Sequence, residues 1–359
     1  MSDDFTMRLR LQLREAALRE ERRGALGRRL AAVRPSLWPL SAGTAAAAAA
    51  VGLVLVLALG LVTALKPETA APPSGPRVVA DALVAGGLGQ SAVAGFGSVW
   101  LSDSDQGQIL RVDPRTRRVT ARIPVGADVN MDVADGSVWA AGVDINRGPL
   151  LRIDPRTGRI IARIPMRTPG GGVFQGGFVI AAPSRVWVIG NGGIAVDPVN
   201  NRVVAQIRLG GDFHVVDAHV QGGELWLTRA DKSVTRFDAV TGRRLGRTQW
   251  TARGFMIPYA DKLVSVGPAA VELIDPASGR ALWSTRIGRQ LNDATIAAGR
   301  LIVEGSVGTG PDRMWELDPR TGRVLGTLTV PGFSVLRTLT VGREVWTTTA
   351  GGHVVVVSR

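Results

Sequence analysis

One ten-residue pattern recurs six times in this chain and constrains its fold more than any other feature. It reads LRIDPRTGRI at residues 151–160, and each copy places an aspartate before a turn and a second apolar run. The six aspartates, at intervals of 41, 43, 41, 37 and 43 residues, are Asp113, Asp154, Asp197, Asp238, Asp275 and Asp318. A period near 40 residues with strands throughout is typical of the blades of a β-propeller.

The pattern has the chemistry of a hairpin turn. Val119, Ala121 and Ile123 alternate with polar residues after the first copy, which is the period of a strand. The aspartate can accept hydrogen bonds from the next backbone amides, and the proline fixes φ for a turn. The left-handed closing position is expected at Gly158, Gly242, Gly279 and Gly322, with Asn200 or Asn201 in the third copy. We therefore predict six outer hairpins.

A turn followed by a tryptophan-bearing strand forms a second repeat. The tryptophans are Trp100, Trp139, Trp187, Trp226 and Trp346, while Val264 and Ile302 take the same position in two further units. The sum is seven units, in which we expect the indoles to pack between neighbouring sheets.

The seventh unit lacks an outer strand, because the chain ends soon after HVVVVS. A spare strand, RVVADALVA at residues 77–85, precedes the first unit. Pairing residues 78–83 with 354–357 would complete the last blade and remove the open edge. The predicted fold is therefore an all-β, seven-bladed β-propeller closed by its N-terminal and C-terminal strands.

The N-terminal region predicts a membrane anchor. Residues 42–65 are small or apolar, which is long enough to span a bilayer. Nine arginines and five acids precede this segment, so the N-terminus is expected in the cytoplasm and the propeller outside. The predicted divisions are a basic helical leader (1–40), a transmembrane helix (41–65), a Pro-rich linker (66–76) and the propeller (77–359). We expect a single-pass protein of a bacterial cell membrane.

Two alternatives concern this region. A cleaved secretory signal would explain the apolar segment, but that segment and the leader are longer than a signal normally allows. The leader could dock on a cytoplasmic partner or lie on the inner leaflet, and its simplest role is that of a solvated, basic topology determinant.

Composition excludes several function classes. Cysteine is absent, which removes disulfides, thiolate nucleophiles and cysteine-containing zinc sites. The net charge of +13 comes mainly from arginines dispersed along the chain, whereas a nucleic-acid binder clusters its cations. We expect no nucleic-acid partner and predict no resident cofactor.

Polar residues near the start of each innermost strand are the candidates for a site at the channel mouth. The ligand-binding candidates are Gln90, Asn130, Gln175, Arg253, Asn292, Asp293 and Arg337. A divalent metal could use Asn130, Asp217 and Asp293, with His214 and Asp217 as catalytic candidates. The arginines would instead suit an anionic ligand. A solvated polar rim is the simplest interpretation.

The tryptophan strand followed by a D-P-x-T-G-R hairpin resembles the YVTN/NHL-like seven-bladed repeats of bacterial surface proteins, over residues 77–359. That resemblance implies the fold, but propellers of this kind include binders, lyases and lactonases. One blade, IDPASGRALWSTRIG, also resembles the tryptophan-docking repeat of quinoproteins, for which a dehydrogenase would be the implied function. We expect a non-enzymatic binding, sensing or scaffold module for an envelope protein or ligand. The alternative is a metal-assisted lyase or lactone hydrolase.

Overall fold

The computed structural model of the chain describes residues 76–143, 148–167, 177–190, 192–209, 215–306, 311–330 and 335–358. The chain divides into two compact units, Met1–Gly75 and Pro76–Arg359, and all of the described residues belong to the second. Within these residues, no helix is long and apolar enough to cross a membrane. The predicted leader and the predicted span at residues 41–65 lie outside them.

In the described part of the chain, 28 strands form seven four-stranded antiparallel sheets, the blades of the ring. The strands run from innermost to outermost in each blade as follows: blade 1, β2 Ala92–Gly95, β3 Ser98–Asp103, β4 Gln108–Val112, β5 Val119–Pro124; blade 2, β6 Val129–Ala134, β7 Ser137–Gly142, β8 Leu150–Ile153, β9 Ile160–Ile164; blade 3, β10 Phe178–Ala182, β11 Arg185–Ile189, β12 Gly192–Asp197, β13 Arg202–Arg208; blade 4, β14 Val215–Gln221, β15 Glu224–Arg229, β16 Ser233–Asp238, β17 Arg244–Thr251; blade 5, β18 Phe255–Tyr259, β19 Lys262–Val266, β20 Ala270–Ile274, β21 Ala281–Arg286; blade 6, β22 Gln290–Ala297, β23 Arg300–Ser306, β24 Arg313–Leu317, β25 Val324–Thr329; and blade 7, β26 Val335–Val341, β27 Glu344–Thr349, β28 His353–Ser358, β1 Arg77–Leu83.

The innermost strands contact one another in the order β2, β6, β10, β14, β18, β22 and β26, and β26 contacts β2. The ring is therefore closed. The seven-bladed, all-β architecture predicted from the repeat is confirmed. We call the interface between two consecutive blades a seam.

Blade 7 is completed by the first strand of the propeller, as predicted. Strand β1 pairs antiparallel with β28, with Val78 opposite Val357 and Leu83 opposite His353. The register shifts between Val78 and Ala80, so a β-bulge interrupts the pairing near its start. Closure supplies β28 with a partner along its otherwise open edge.

The repeated aspartates cap the hairpins that join the third and fourth strands of blades 1–6. In the first copy, Asp113 Oδ1 accepts the backbone N–H groups of Arg115 at 2.7 Å and Thr116 at 2.9 Å. These bonds lower the pKa of Asp113, that from Thr116 contributing most. The closing residue is left-handed, with φ near 70° at Gly158 but 57° at Arg117 in the first copy. The turn chemistry predicted from the sequence is confirmed.

The tryptophans pack at the seams. Trp100, Trp139, Trp187 and Trp346 are fully buried, and Trp100 shares an apolar cluster with Val138 of the next blade. Their position explains why the repeat keeps an indole, since a large flat side chain fills the space between two twisted sheets.

Two outermost strands carry a further tryptophan that docks on the following blade. Trp283 Nε1 donates to the carbonyl of Pro319 at 3.1 Å, as expected of a tryptophan-docking repeat. Trp250 Nε1 likewise donates to the carbonyl of Pro276 at 3.1 Å. The sequence pattern does not reveal Trp250, because it follows its turn aspartate by twelve residues, whereas Trp283 follows by eight. Gly279 leaves room for the Trp250 ring, where any Cβ would collide with it.

Candidate functional site at the entry mouth

All innermost strands begin at the same mouth of the ring because the blades repeat one topology. We call this the entry mouth, and we call the opposite side, which carries the aspartate turns, the turn face. The predicted residues that lie at or near the starts of innermost strands are Gln90, Asn130, Asp217, Arg253, Asn292, Asp293 and Arg337. Gln175 and His214 lie outside the described residues.

Two of the predicted carboxylates connect neighbouring blades. Asp217, on β14, accepts the backbone N–H of Met256 on β18 at 2.9 Å. Asp293, on β22, accepts the N–H of Thr338 on β26 at 2.6 Å. Both bonds cross a seam between innermost strands. The structure therefore gives these carboxylates a role in holding the ring together.

A third aspartate with the same role is not found by the sequence pattern. Asp132, on β6, accepts the N–H of Ala181 on β10 at 2.7 Å. It precedes Trp139 by seven residues, whereas the candidates predicted from the sequence lie nine to twelve residues ahead of each tryptophan position. Burial raises the pKa of Asp132, while the backbone hydrogen bonds from Ala181 and Val133 and, to a smaller extent, the charge of Arg337 on blade 7 oppose that rise.

The two predicted arginines are paired with carboxylates. Arg253 Nη1 lies 2.7 Å from Glu272 Oε1, although 60% of the arginine side chain is exposed. Arg337 Nη1 lies 3.5 Å from Asp293 Oδ1. Both arginine side chains are more than half exposed, and an anionic ligand at these arginines stays a prediction.

The predicted amides have different surroundings. Asn130 Nδ2 donates to the carbonyl of Gly177 at 2.8 Å, which is another contact across a seam. Gln90 is exposed just before β2, and Asn292 is half-buried on β22 next to Asp293. The amides are therefore distributed round the mouth.

The candidate metal ligands are not close neighbours along the ring. Asn130, Asp217 and Asp293 belong to blades 2, 4 and 6. Among the described residues, no group of three or more His, Asp or Glu side chains could hold a metal ion. Asp217 lies 3.8 Å from His219, and the imidazole of His219 stacks on Trp226. Catalysis by His214 and Asp217 stays a prediction.

The seam between blades 6 and 7 contains a buried acidic cluster. Glu304 is fully buried on β23 and accepts hydroxyl hydrogen bonds from Thr347 at 2.6 Å and Thr338 at 2.9 Å. Burial, reinforced by the charges of Asp293 and Asp312, raises the pKa of Glu304 to about 8. Near neutral pH this carboxyl therefore holds a proton.

Comparison with known proteins supports the fold. The PQQ_2 family, described as outer membrane protein assembly factor BamB, matches residues 230–359, from blade 4 to the end of the chain. No curated protein matches the sequence. BamB from Moraxella catarrhalis is 16% identical with a TM-score of 0.52, covering 73% of this chain and 82% of that one.

Two other solved structures are similar. The computationally designed Ika8 protein is 12% identical with a TM-score of 0.58, covering 78% of this chain and 100% of that one. The WD40 β-propeller domain of Doa1 is 11% identical with a TM-score of 0.63, covering 79% and 97%. At such identities the likeness shows the fold alone. The protein is thus a seven-bladed β-propeller with a BamB-like repeat in its second half.

Proposed function

We propose that this protein is a membrane-anchored propeller outside the cytoplasm that binds or scaffolds an envelope protein. The observation that carries the proposal is the match of residues 230–359 to a family described as an outer membrane protein assembly factor. The BamB structure from Moraxella catarrhalis has a similar fold over 73% of this chain. Both likenesses favour a role in which the propeller presents a surface to another protein.

The position outside the cytoplasm rests on the N-terminal charge pattern. The predicted span at residues 41–65 follows nine arginines, while only Lys66 and Glu68 are charged between the span and Arg77. Positively charged flanks stay in the cytoplasm, so the propeller would be carried across the membrane. A YVTN/NHL-like surface protein would have the same placement.

An exposed apolar patch on blade 3 favours a protein partner. Val199, in the turn before β13, is 89% exposed, and Val204 on β13 is 45% exposed. Val203 beside it is also exposed. The three exposed valines lie within six residues, one in the turn and two on the outermost strand, and exposed apolar side chains of this kind are candidates for contact with another protein.

The test is photo-crosslinking of the full chain in its own membranes. A photoreactive residue placed at Val204 should repeatedly crosslink the same envelope protein. The matched control is the same residue at Thr120, which is exposed on β5, the outermost strand of blade 1. Identical crosslinking patterns from the two positions would contradict binding at the patch, and the absence of any protein crosslink at both would contradict the proposed function.

Orientation is tested separately by fusing alkaline phosphatase to the C-terminus of the full chain. The enzyme is active only outside the cytoplasm, so high activity in membranes is expected. Inactive fusions at normal expression would place the propeller in the cytoplasm and contradict the proposal.

A further inference from the structure

Five seams are bridged on the turn face in one common way. A side chain of one blade donates a hydrogen bond to a carbonyl of the aspartate turn in the next blade. The donors and acceptors are Arg111 to Arg156 (3.2 Å), Arg152 to Pro198 (2.6 Å), Trp187 to Ala239 (2.7 Å), Trp250 to Pro276 (3.1 Å) and Trp283 to Pro319 (3.1 Å).

The seam between blade 7 and blade 1 differs. Arg111 stands opposite Trp100 in blade 1, but Val356 stands opposite Trp346 in blade 7. The bridging arginine is therefore replaced by a valine. Among the described residues, no side chain donates to the carbonyls of Pro114 or Arg115, the residues of the blade 1 turn that correspond to the acceptors elsewhere.

A cavity of about 720 Å³ opens where that bridge is missing. Its volume is in the range of ligand pockets, roughly 300–1,000 Å³. The walls include the glycine-rich turns before β3 and β27, and Gly97 and Gly342 have no atoms near the direction of a Cβ. Backbone groups of this seam are consequently accessible to a ligand.

The charged side chains that line the cavity are mostly cationic. They are Arg115, Arg117, Arg343 and Glu344, which gives three positive charges against one negative charge. Arg117 and Glu344 pair at 3.0 Å across the seam. The charge of Arg343 remains and that of Arg115 is partly offset by Asp113 of the same turn, and both arginines are exposed.

Arg117 has an unusual backbone for an arginine. Its φ is 57°, in the left-handed region, where Gly158, Gly242 and the later copies have glycine. A side chain is disfavoured in that region, yet this copy places a guanidinium there. Glu344 is held in turn by the indole N–H of Trp346, at 3.1 Å. The ion pair is thus fixed at the edge of the cavity.

We propose that this cavity, between blade 7 and blade 1 on the turn face, binds an acidic peptide segment of a partner protein. Carboxylates of the peptide would pair with Arg115 and Arg343, and peptide N–H groups would donate to the carbonyls of Pro114 and Arg115. A ligand needs both acidic groups and amide donors to satisfy this site. That the ligand belongs to a protein rests on the proposed function.

The test measures binding of a labelled Gly-Glu-Asp-Glu-Asp-Gly peptide to the full chain in detergent by fluorescence anisotropy. Affinity should fall about tenfold or more in the double variant R115Q/R343Q and decrease with added salt. The matched control is R122Q/R163Q, which removes two exposed arginines from the outermost strands of blades 1 and 2 and should bind as the original chain does. An amide peptide, Gly-Gln-Asn-Gln-Asn-Gly, should not bind.

R117G provides a second variant, because glycine occupies this turn position in four other copies and should leave the fold intact. R117G should lower the affinity for the acidic peptide about three- to tenfold. No binding to the original chain, equal binding to all variants, or displacement of the peptide by equimolar inorganic phosphate would each overturn the site. If neither Val204 nor Thr120 gives a protein crosslink while the acidic peptide still binds, the proposed function fails and the site stands. If the crosslink persists but peptide binding is absent, only the site fails.

Discussion

Val78 lies opposite Val357, so the first and last strands of the propeller share one sheet. This pairing spans almost the whole propeller sequence and closes the ring. It also makes the stability of blade 7 depend on residues at both ends of the domain, since a four-stranded blade needs its outermost strand to cover β28.

The closing strand pair predicts that a disulfide can be engineered between β1 and β28, because the chain has no cysteine that could compete. Leu83 and His353 are opposite each other near the end of this pairing, and Leu83 is exposed while His353 is half-buried. We expect the double variant L83C/H353C to oxidise within one molecule and to stabilise the fold by up to about 5 kcal/mol through the long closed loop. Non-reducing gels and thermal unfolding with and without reductant measure this, with the single variants as controls. Failure to crosslink would contradict the register.

Glu304 predicts a fall in stability as pH rises. Its ordinary pKa is 4.5, and burial raises it to about 8 in the folded protein. Between these values the folded chain binds a proton that the unfolded chain has lost, so the free energy of unfolding decreases by up to about 1.4 kcal/mol per pH unit. E304Q, neutral at every pH, should show a flatter dependence in denaturant unfolding between pH 5 and 8. Parallel curves for the two proteins would contradict a protonated Glu304.

The surroundings of Gly279 predict that replacing it with alanine greatly lowers the free energy of unfolding. Its φ is 70°, and a Cβ there would collide with the ring of Trp250. The matched control is Gly97, which has a φ of 69° but no atom within 4 Å of the position that a Cβ would take. We expect G97A to lose about 1–2 kcal/mol from backbone strain and G279A at least about 2 kcal/mol more from overpacking. Denaturant unfolding of both variants measures the difference. Equal losses of stability in G97A and G279A would contradict close packing of Trp250 against Gly279.

Variants of Asp217 can show whether its carboxylate has a structural role or binds a metal ion. Its carboxylate accepts the N–H of Met256, so D217A should leave a buried amide without a partner and destabilise the fold by about 1–3 kcal/mol. D217N keeps an acceptor oxygen and should recover most of that loss. Faster hydrogen exchange at Met256 in D217A would locate the effect at the seam. Bound divalent metal that disappears in both variants would instead support the metal-assisted alternative.

Much of the fold follows from local patterns. The aspartate turns, the alternating strands and the tryptophan strands are each encoded within about ten residues, and their period of about 40 gives the number of blades. Even the closing pair was predictable, because an unpaired strand at each end of a repeat array has one obvious partner. The sequence does not predict the bulge between Val78 and Ala80, because the register of a strand depends on its partner strand.

The candidate site was less predictable. The spacing ahead of each tryptophan located residues at the entry mouth, but it could not show that Asp217 and Asp293 are bonded to the following blade. The sequence does not indicate Asp132 or Glu304, because the raised pKa of each carboxyl depends on burial between two sheets rather than on neighbours in sequence.

The sequence by itself determined the repeat, the turns and the closure of the ring, because these depend on backbone preferences and on side-chain alternation over short distances. Only the tertiary structure decided which polar groups are engaged across seams and where the bridge that is common to five seams is missing. Val356 in place of an arginine looks ordinary in the sequence. The cavity beside Arg117 and Glu344 is lined by residues more than 200 positions apart that meet only when the ring closes.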